Sequence, residues 1–225
     1  MKSVKLLCLT SAVALFAGIT AANAADDTVG VGAGDILVHA RAVAVMPQLS
    51  NDAHDNLLNG SINVSNDYIP ELDASYFFTD HIAAEIIAGT SRNKVTDHGS
   101  AVGNLDLGHV WLLPPTVTLQ YHPLAHNKFD PYVGAGLNYT IFYGSNGCDL
   151  QGVTGTSCKV DYKNGVGYAL QAGLNYEVAQ NWFLNLDVKY IDLHTTADVY
   201  SGGAHTSARV AIDPILLGLG VGYRF

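Results

Sequence analysis

The side chains in this chain that could do chemistry are scattered, and they do not form a compact motif. The sequence holds nine histidines. None lies in an H-E-x-x-H motif, and none has the Cys–His spacing of a zinc site. No G-x-S-x-G and no G-x-x-x-x-G-K-[ST] occurs, and the serines and histidines form no nucleophile–base constellation. The expectation is therefore a protein that is not an enzyme and carries neither cofactor nor metal. What remains is a set of ionisable residues, Arg41, Glu71, Asp73, Glu85, Asp187, Lys189 and Arg224, together with the proline pair Pro114-Pro115 and the cysteines Cys148 and Cys158.

The spacing of those charges says where they point. Each falls on the polar side of a stretch with period-2 alternation, the pattern of a half-buried strand. The last stretch is the clearest. Ile215, Leu217, Leu219, Val221, Tyr223 and Phe225 share one face, and Leu216, Gly218, Gly220, Gly222 and Arg224 the other. Similar alternation runs through residues 36–46, 68–78, 81–91, 111–122, 131–142, 166–178 and 182–191, which makes eight strands. Their connections alternate. Residues 48–67, 92–110, 143–165 and 192–212 are long and polar, whereas 79–80, 123–130 and 179–181 are short or moderate. Short turns at one end and long loops at the other mark an outer-membrane barrel. Aromatics add two belts. Tyr76, Phe78, Tyr121, Tyr132, Trp182, Tyr223 and Phe225 lie near the short turns; Tyr68, Trp111, Tyr139, Tyr168 and Tyr190 lie near the long loops.

The first residues fit export. Lys2 and Lys5 precede an apolar run from Leu6 to Ile19, and Ala22-Asn23-Ala24 supplies small residues for a cut, which reads as a signal peptide over residues 1–24. The remainder, 25–225, reads as one barrel domain. Without Lys2 and Lys5 the net charge of −9 becomes −9 − 2 = −11, which argues against nucleic acid. The mean hydropathy of +0.17 is high for a chain with no apolar run long enough to span as a helix. A barrel reconciles the two, because its apolar residues face lipid at every second position. Cys148 and Cys158 form an even pair in an exported chain and read as one disulfide, with two free thiols as the alternative.

The stretches Pro70-Glu71-Leu72 through Tyr76-Phe77-Phe78-Thr79-Asp80, Leu113-Pro114-Pro115-Thr116, Pro131 to Thr140, Asp213-Pro214 and Gly222-Tyr223-Arg224-Phe225 give the chain a resemblance to the outer membrane protein W (OmpW) family over essentially all of its mature length. The resemblance implies an eight-stranded barrel in a Gram-negative outer membrane with a narrow, partly hydrophobic, porin-like bore. It also implies passage of small hydrophobic solutes, or alternatively a sealed receptor barrel whose loops bind phage, colicin or surfaces. Tyr223 and Phe225 resemble the terminal signal read by the barrel insertion machinery. The expected surroundings are outer-membrane lipid and lipopolysaccharide.

Two questions stay open at this level. An eight-stranded barrel is just wide enough for side chains to fill. The inward charges either close the bore as an ion-pair network or form a polar constriction that turns an apolar solute sideways. Inward Phe77 and Ile87, with Leu37, Val43 and Val45, then line an apolar funnel or simply pack. Pro114-Pro115 cannot donate to a ladder. They mark either a lateral gap or a kink above the hydrocarbon zone.

Overall fold

The computed structural model describes residues 29–48, 61–100, 103–144, 158–201 and 204–225. The expected signal peptide and Cys148 lie outside them. In chain order the strands are β1 (Ile36–Met46), β2 (Ser61–Val64), β3 (Asp67–Phe77), β4 (Ile82–Gly89), β5 (Ser91–Ser100), β6 (Gly103–Leu113) and β7 (Thr116–Tyr121). They continue as β8 (Phe129–Tyr143), β9 (Cys158–Tyr162), β10 (Gly165–Ala179), β11 (Trp182–Ile191), β12 (His194–Ser201), β13 (Ala204–Ala211) and β14 (Ile215–Arg224).

Eight of these close on themselves in the order β1-β3-β4-β7-β8-β10-β11-β14, each antiparallel to its neighbours. Closure removes the sheet edges that a bilayer would leave unpaired. Burial follows the period of the sequence. Along β11, Leu184, Leu186 and Val188 are exposed, whereas Phe183, Asn185, Asp187 and Lys189 are buried. A surface of exposed Leu, Val and Ile alternating with buried polar residues suits lipid outside and a filled lumen inside.

The outer end differs from the expected loops. Residues 61–64, 91–100, 103–110, 158–162, 194–201 and 204–211 are strand. They carry the wall beyond the barrel as two flaps, β2-β5-β6 and β9-β12-β13. The apolar/polar alternation that betrays a strand depends on one face meeting lipid. In the flaps that contrast is absent, and the residues read as polar loop.

Two strand pairs pass from barrel to flap without losing register. Ile87 stands opposite Thr116 and Ser91 opposite Leu112, which sets Gly89 across from Pro114 and Ala88 across from Pro115. On the other side of the prolines, Thr116 faces Asn138 and Leu113 faces Ile141. The second pair behaves alike, with Tyr190 opposite Ile215 and His194 opposite Ala211. The single strand expected over 111–122 is thus broken at Pro114-Pro115, in line with the missing N–H groups.

Candidate functional site: a layered bore and an interrupted wall

The lumen is stratified. At the outer end Val43, Val45, Ile69, Leu112, Ile191 and Leu216 belong to one buried apolar cluster, with Phe142 and Tyr162 packed against it. Burial pushes the Tyr162 hydroxyl, in the flap, up to about 12. At the periplasmic end Val31, Leu37, Phe77, Ala83 and Phe183 form a second cluster. The residues expected as one funnel are therefore split. Val43 and Val45 lie above, Leu37 and Phe77 below, and Ile87 is buried beside Asp73, its cross-strand neighbour.

Between the clusters lies a charged floor with Arg41 at its centre. Arg41 Nη1 is 3.2 Å from Glu71 Oε1 and 2.9 Å from Asp73 Oδ2. Its Nη2 is 3.2 Å from Glu85 Oε1, and its Nε donates to Asn185 Oδ1 at 2.7 Å. Lys189 Nζ reaches Glu71 at 3.4 Å and Asp187 at 3.6 Å. Asp187 Oδ2 accepts from the Tyr132 hydroxyl and from Gln171 Nε2, both at 2.8 Å. The contributing strands, β1, β3, β4, β8, β10 and β11, come from all round the wall. Every one of these charged side chains is buried, so each charge is met by a partner where water is scarce.

Space for the floor is made by glycine. A Cβ on Gly220 would stand 2.8 Å from both Arg41 Cα and Arg41 Cγ, and one on Gly173 would stand 2.4 Å from the Tyr132 hydroxyl. Gly220 and Gly173 are therefore room for Arg41 and Tyr132. Tyr132, read from the sequence as part of the lower belt, is only 3% exposed and points into the lumen. Alternation along β8 carries this signal, since Tyr132 shares the parity of inward Gly134 and Gly136.

Below the floor, His39 Nδ1 lies 2.7 Å from Asp73 Oδ1 and its Nε2 3.1 Å from Asn175 Oδ1. Asn175 Nδ2 donates to Asp130, which also meets His122 Nδ1 at 3.0 Å. His39, Asp73 and Glu85 bring ligand atoms within 4.8 Å of one another. Arg41 already supplies the cation there. A second group, Asp192, His194 and Asp213, has the same proximity at the outer junction. There Asp213 Oδ1 accepts the Leu193 N–H at 3.0 Å. The first grouping draws on β1, β3 and β4 and so is not visible in sequence spacing; in the second, Asp192 and His194 are near in sequence and Asp213 comes from the facing connection.

Arg224 does not join the floor. It donates through Nη2 to Asn181 Oδ1 at 2.7 Å and through Nη1 to the Gly30 carbonyl. The Gly30 N–H in turn donates to Glu177 Oε2 at 2.7 Å. These bonds strap the segment before β1 across the base and bury Val31 completely. The adjoining turn is tied in by the Ala33 N–H, which donates to Asp80 and holds its carboxyl below the usual range. Tyr223 and Phe225 face outward in an edge-on cluster with Trp182. Cys158 opens β9.

Pro114 and Pro115 sit in the wall between β4 and β8. The Pro115 carbonyl still accepts from Tyr139 N at 3.0 Å, so the β8 side stays stitched. On the β4 side the ladder stops after Ile87–Thr116 and resumes at Ser91–Leu112. A Cβ on Gly89 would lie 3.6 Å from Ile69 Cδ1 and 3.7 Å from Glu71 Cγ. The interruption therefore faces the lumen where the apolar layer meets the charged floor.

A closed eight-stranded ring that joins these motifs in this order coincides with one family model, matched over residues 32–225. The chain belongs to the OmpW family. Outer membrane protein W of Vibrio cholerae is 37% identical over 85% of this chain and 89% of its own. The Pseudomonas aeruginosa protein PahQ, named for a dibenzothiophene metabolism operon, is 30% identical over 74% of this chain and 75% of its own. The crystal structure of OprG from Pseudomonas aeruginosa superposes with a TM-score of 0.79 at 27% identity, covering 88% of this chain and 99% of OprG. As an OmpW-family barrel the protein resides in the Gram-negative outer membrane.

Proposed function

We propose that this barrel admits small hydrophobic molecules at its outer end and releases them sideways, through the break between β4 and β7, into the outer membrane. The observation that carries this reading is the height of the break. Gly89 stands against Ile69 of the apolar layer and Glu71 of the floor, and Pro114 lies across the seam from Gly89. A solute descending the apolar layer meets ion-paired Arg41, Glu71 and Lys189 and would have to shed their pairing to go on, at a cost of several kcal/mol. The wall at that level lacks the Pro114 N–H towards β4 and, at Gly89, a side chain. Sideways release is thus the lower barrier. The apolar aromatic for which PahQ's operon is named agrees with such a cargo.

The test is uptake into lipopolysaccharide-containing proteoliposomes of naphthalene against a polar probe of similar size, with protein-free vesicles subtracted. Naphthalene should gain and the polar probe should not. The variant Pro114→Val/Pro115→Thr should fold and lose most of the gain. Unchanged naphthalene uptake in that variant would sink lateral release. No gain for either probe with the parent protein would sink transport and direct attention to the outer flaps.

A further inference from the structure

We propose that Thr90 and Tyr143 form a hydroxyl latch over the upper lip of this break and set the bulk of the molecule that leaves; this rests on the lateral-release reading above. Thr90 lies between β4 and β5, directly above the stretch without ladder bonds. Its Oγ1 donates to the Leu112 carbonyl at 3.1 Å and is 2.8 Å from the Tyr143 hydroxyl. A threonine hydroxyl has one proton. With that proton on Leu112, the Tyr143 O–H is the donor to Thr90, and the two bonds run as one chain from β8 over β6 to the β4–β5 junction.

The placement of Tyr143 makes this a strap. It pairs with Trp111 on β6 and stacks on that indole with ring centroids 6.2 Å apart and 23° between planes. The Arg92 guanidinium lies 5.7 Å from the same indole. The phenol is thus held against the outer face of β6 with its hydroxyl directed at Thr90. Below it, Gly89 and Pro114 offer no matching side chain. The Thr90 bond takes the place of a ladder bond at the corner where the wall closes again. Both residues are exposed, and the bond between their hydroxyls lies at the surface. They can part without burying an unpaired group, as a movable lip requires.

A latch of this kind gates by size. A small apolar molecule passes beneath it, and a larger one has to break it. Thr90→Val and Tyr143→Phe each remove one oxygen and keep the packing shape. The experiment compares naphthalene and pyrene uptake into lipopolysaccharide-containing proteoliposomes for the parent, each single variant and the double variant. Each single variant is expected to raise the pyrene-to-naphthalene ratio roughly two- to tenfold, the scale of one hydrogen bond. The double variant should equal Thr90→Val, which already removes both bonds of the chain, whereas Tyr143→Phe removes only the one to Thr90. An unchanged ratio overturns the latch. A parallel arm cross-links the break itself with Ala88→Cys/Pro115→Cys. If oxidation abolishes uptake while the latch variants leave the ratio unchanged, the latch alone is wrong. If oxidation leaves uptake intact, lateral release is wrong and the latch falls with it.

Discussion

Two seams in this barrel invite comparison. At both, a strand pair leaves the membrane wall for a flap, holds its register and drops the ladder for a few residues, and at both a proline is present. The β11–β14 seam is restitched. Ile191 N donates to the Pro214 carbonyl at 3.2 Å, Ile212 N to Leu193 O at 2.9 Å, and Leu193 N to the Asp213 carboxylate. The β4–β7 seam has two adjacent prolines and, above them, only the Thr90 side chain reaching across. At the β11–β14 seam the Pro214 carbonyl and the Asp213 carboxylate both accept amides of the facing segment, which holds the strands together although Pro214 itself cannot donate. At the β4–β7 seam the Pro115 carbonyl is spent on β8, and neighbouring residues of a strand turn their backbone groups to opposite edges, so Pro114 removes the donor towards β4 and Pro115 the one towards β8. What the neighbours supply across a seam, more than the presence of a proline, sets how firmly it is closed.

The contrast can be broken most severely from beneath. Arg41→Leu leaves Glu71, Asp73 and Glu85 without their shared cation and should cost about 3–5 kcal/mol in urea unfolding from lipid, with ion conductance appearing as the floor loosens. A stable, non-conducting variant would mean that the floor does not direct solutes to either seam. Next in size is a cross-swap of the prolines. Pro114→Val/Pro115→Thr should cut naphthalene flux by about tenfold or more, a barrier rise of about 1.4 kcal/mol. Pro214→Val should leave it within about twofold, as expected where the seam is already closed. Equal effects at both seams would erase the distinction. Asp213→Gly removes the carboxylate acceptor while tolerating the φ of 37° found there. It should cost about 1 kcal/mol and speed hydrogen exchange at Leu193 with no change in flux. The mildest probe touches neither seam. The Asp80 carboxyl is held low by the Ala33 N–H, so their bond persists at neutral pH and is lost only as pH falls below the ordinary carboxylate range. The protection of the Ala33 amide relative to its intrinsic exchange rate at each pH should fall there and hold steady above it.

How much of this was written in the sequence depends on which solvent a residue meets. Lipid on one face and a packed lumen on the other impose strict alternation, so the eight membrane strands and the inward direction of Arg41, Glu71, Glu85 and Lys189 are legible from period alone. The flaps meet water outside, where Arg92 and Lys94 lie, and bury polar Ser91, Asn93 and Thr195 on the other face, so the apolar/polar contrast fades although pairing and register continue. The role of Arg41 as hub was hidden for another reason. Its partners lie 30 to 144 residues away along the chain, and only ring closure brings them together. His39 and His122 were hidden likewise among nine histidines, and Tyr132 was masked by the habit of assigning aromatics to belts. The strap at the base leaves almost no signature. Gly30 is held by its own N–H and carbonyl, which every residue but proline possesses. Arg224 was legible as inward, whereas its duty to the opposite terminus was not.

That duty has a consequence for assembly. Gly30 is gripped by Glu177 at the end of β10 and by Arg224 at the end of β14, while β1 pairs with β14 to complete the circle. The grip cannot exist before the last strand has arrived. The first and last described stretches therefore fasten like a clasp. Docking of Val31 reports that the circle has shut, and a chain arrested before its final strand would still dangle its leading end in the periplasm, open to quality-control proteases.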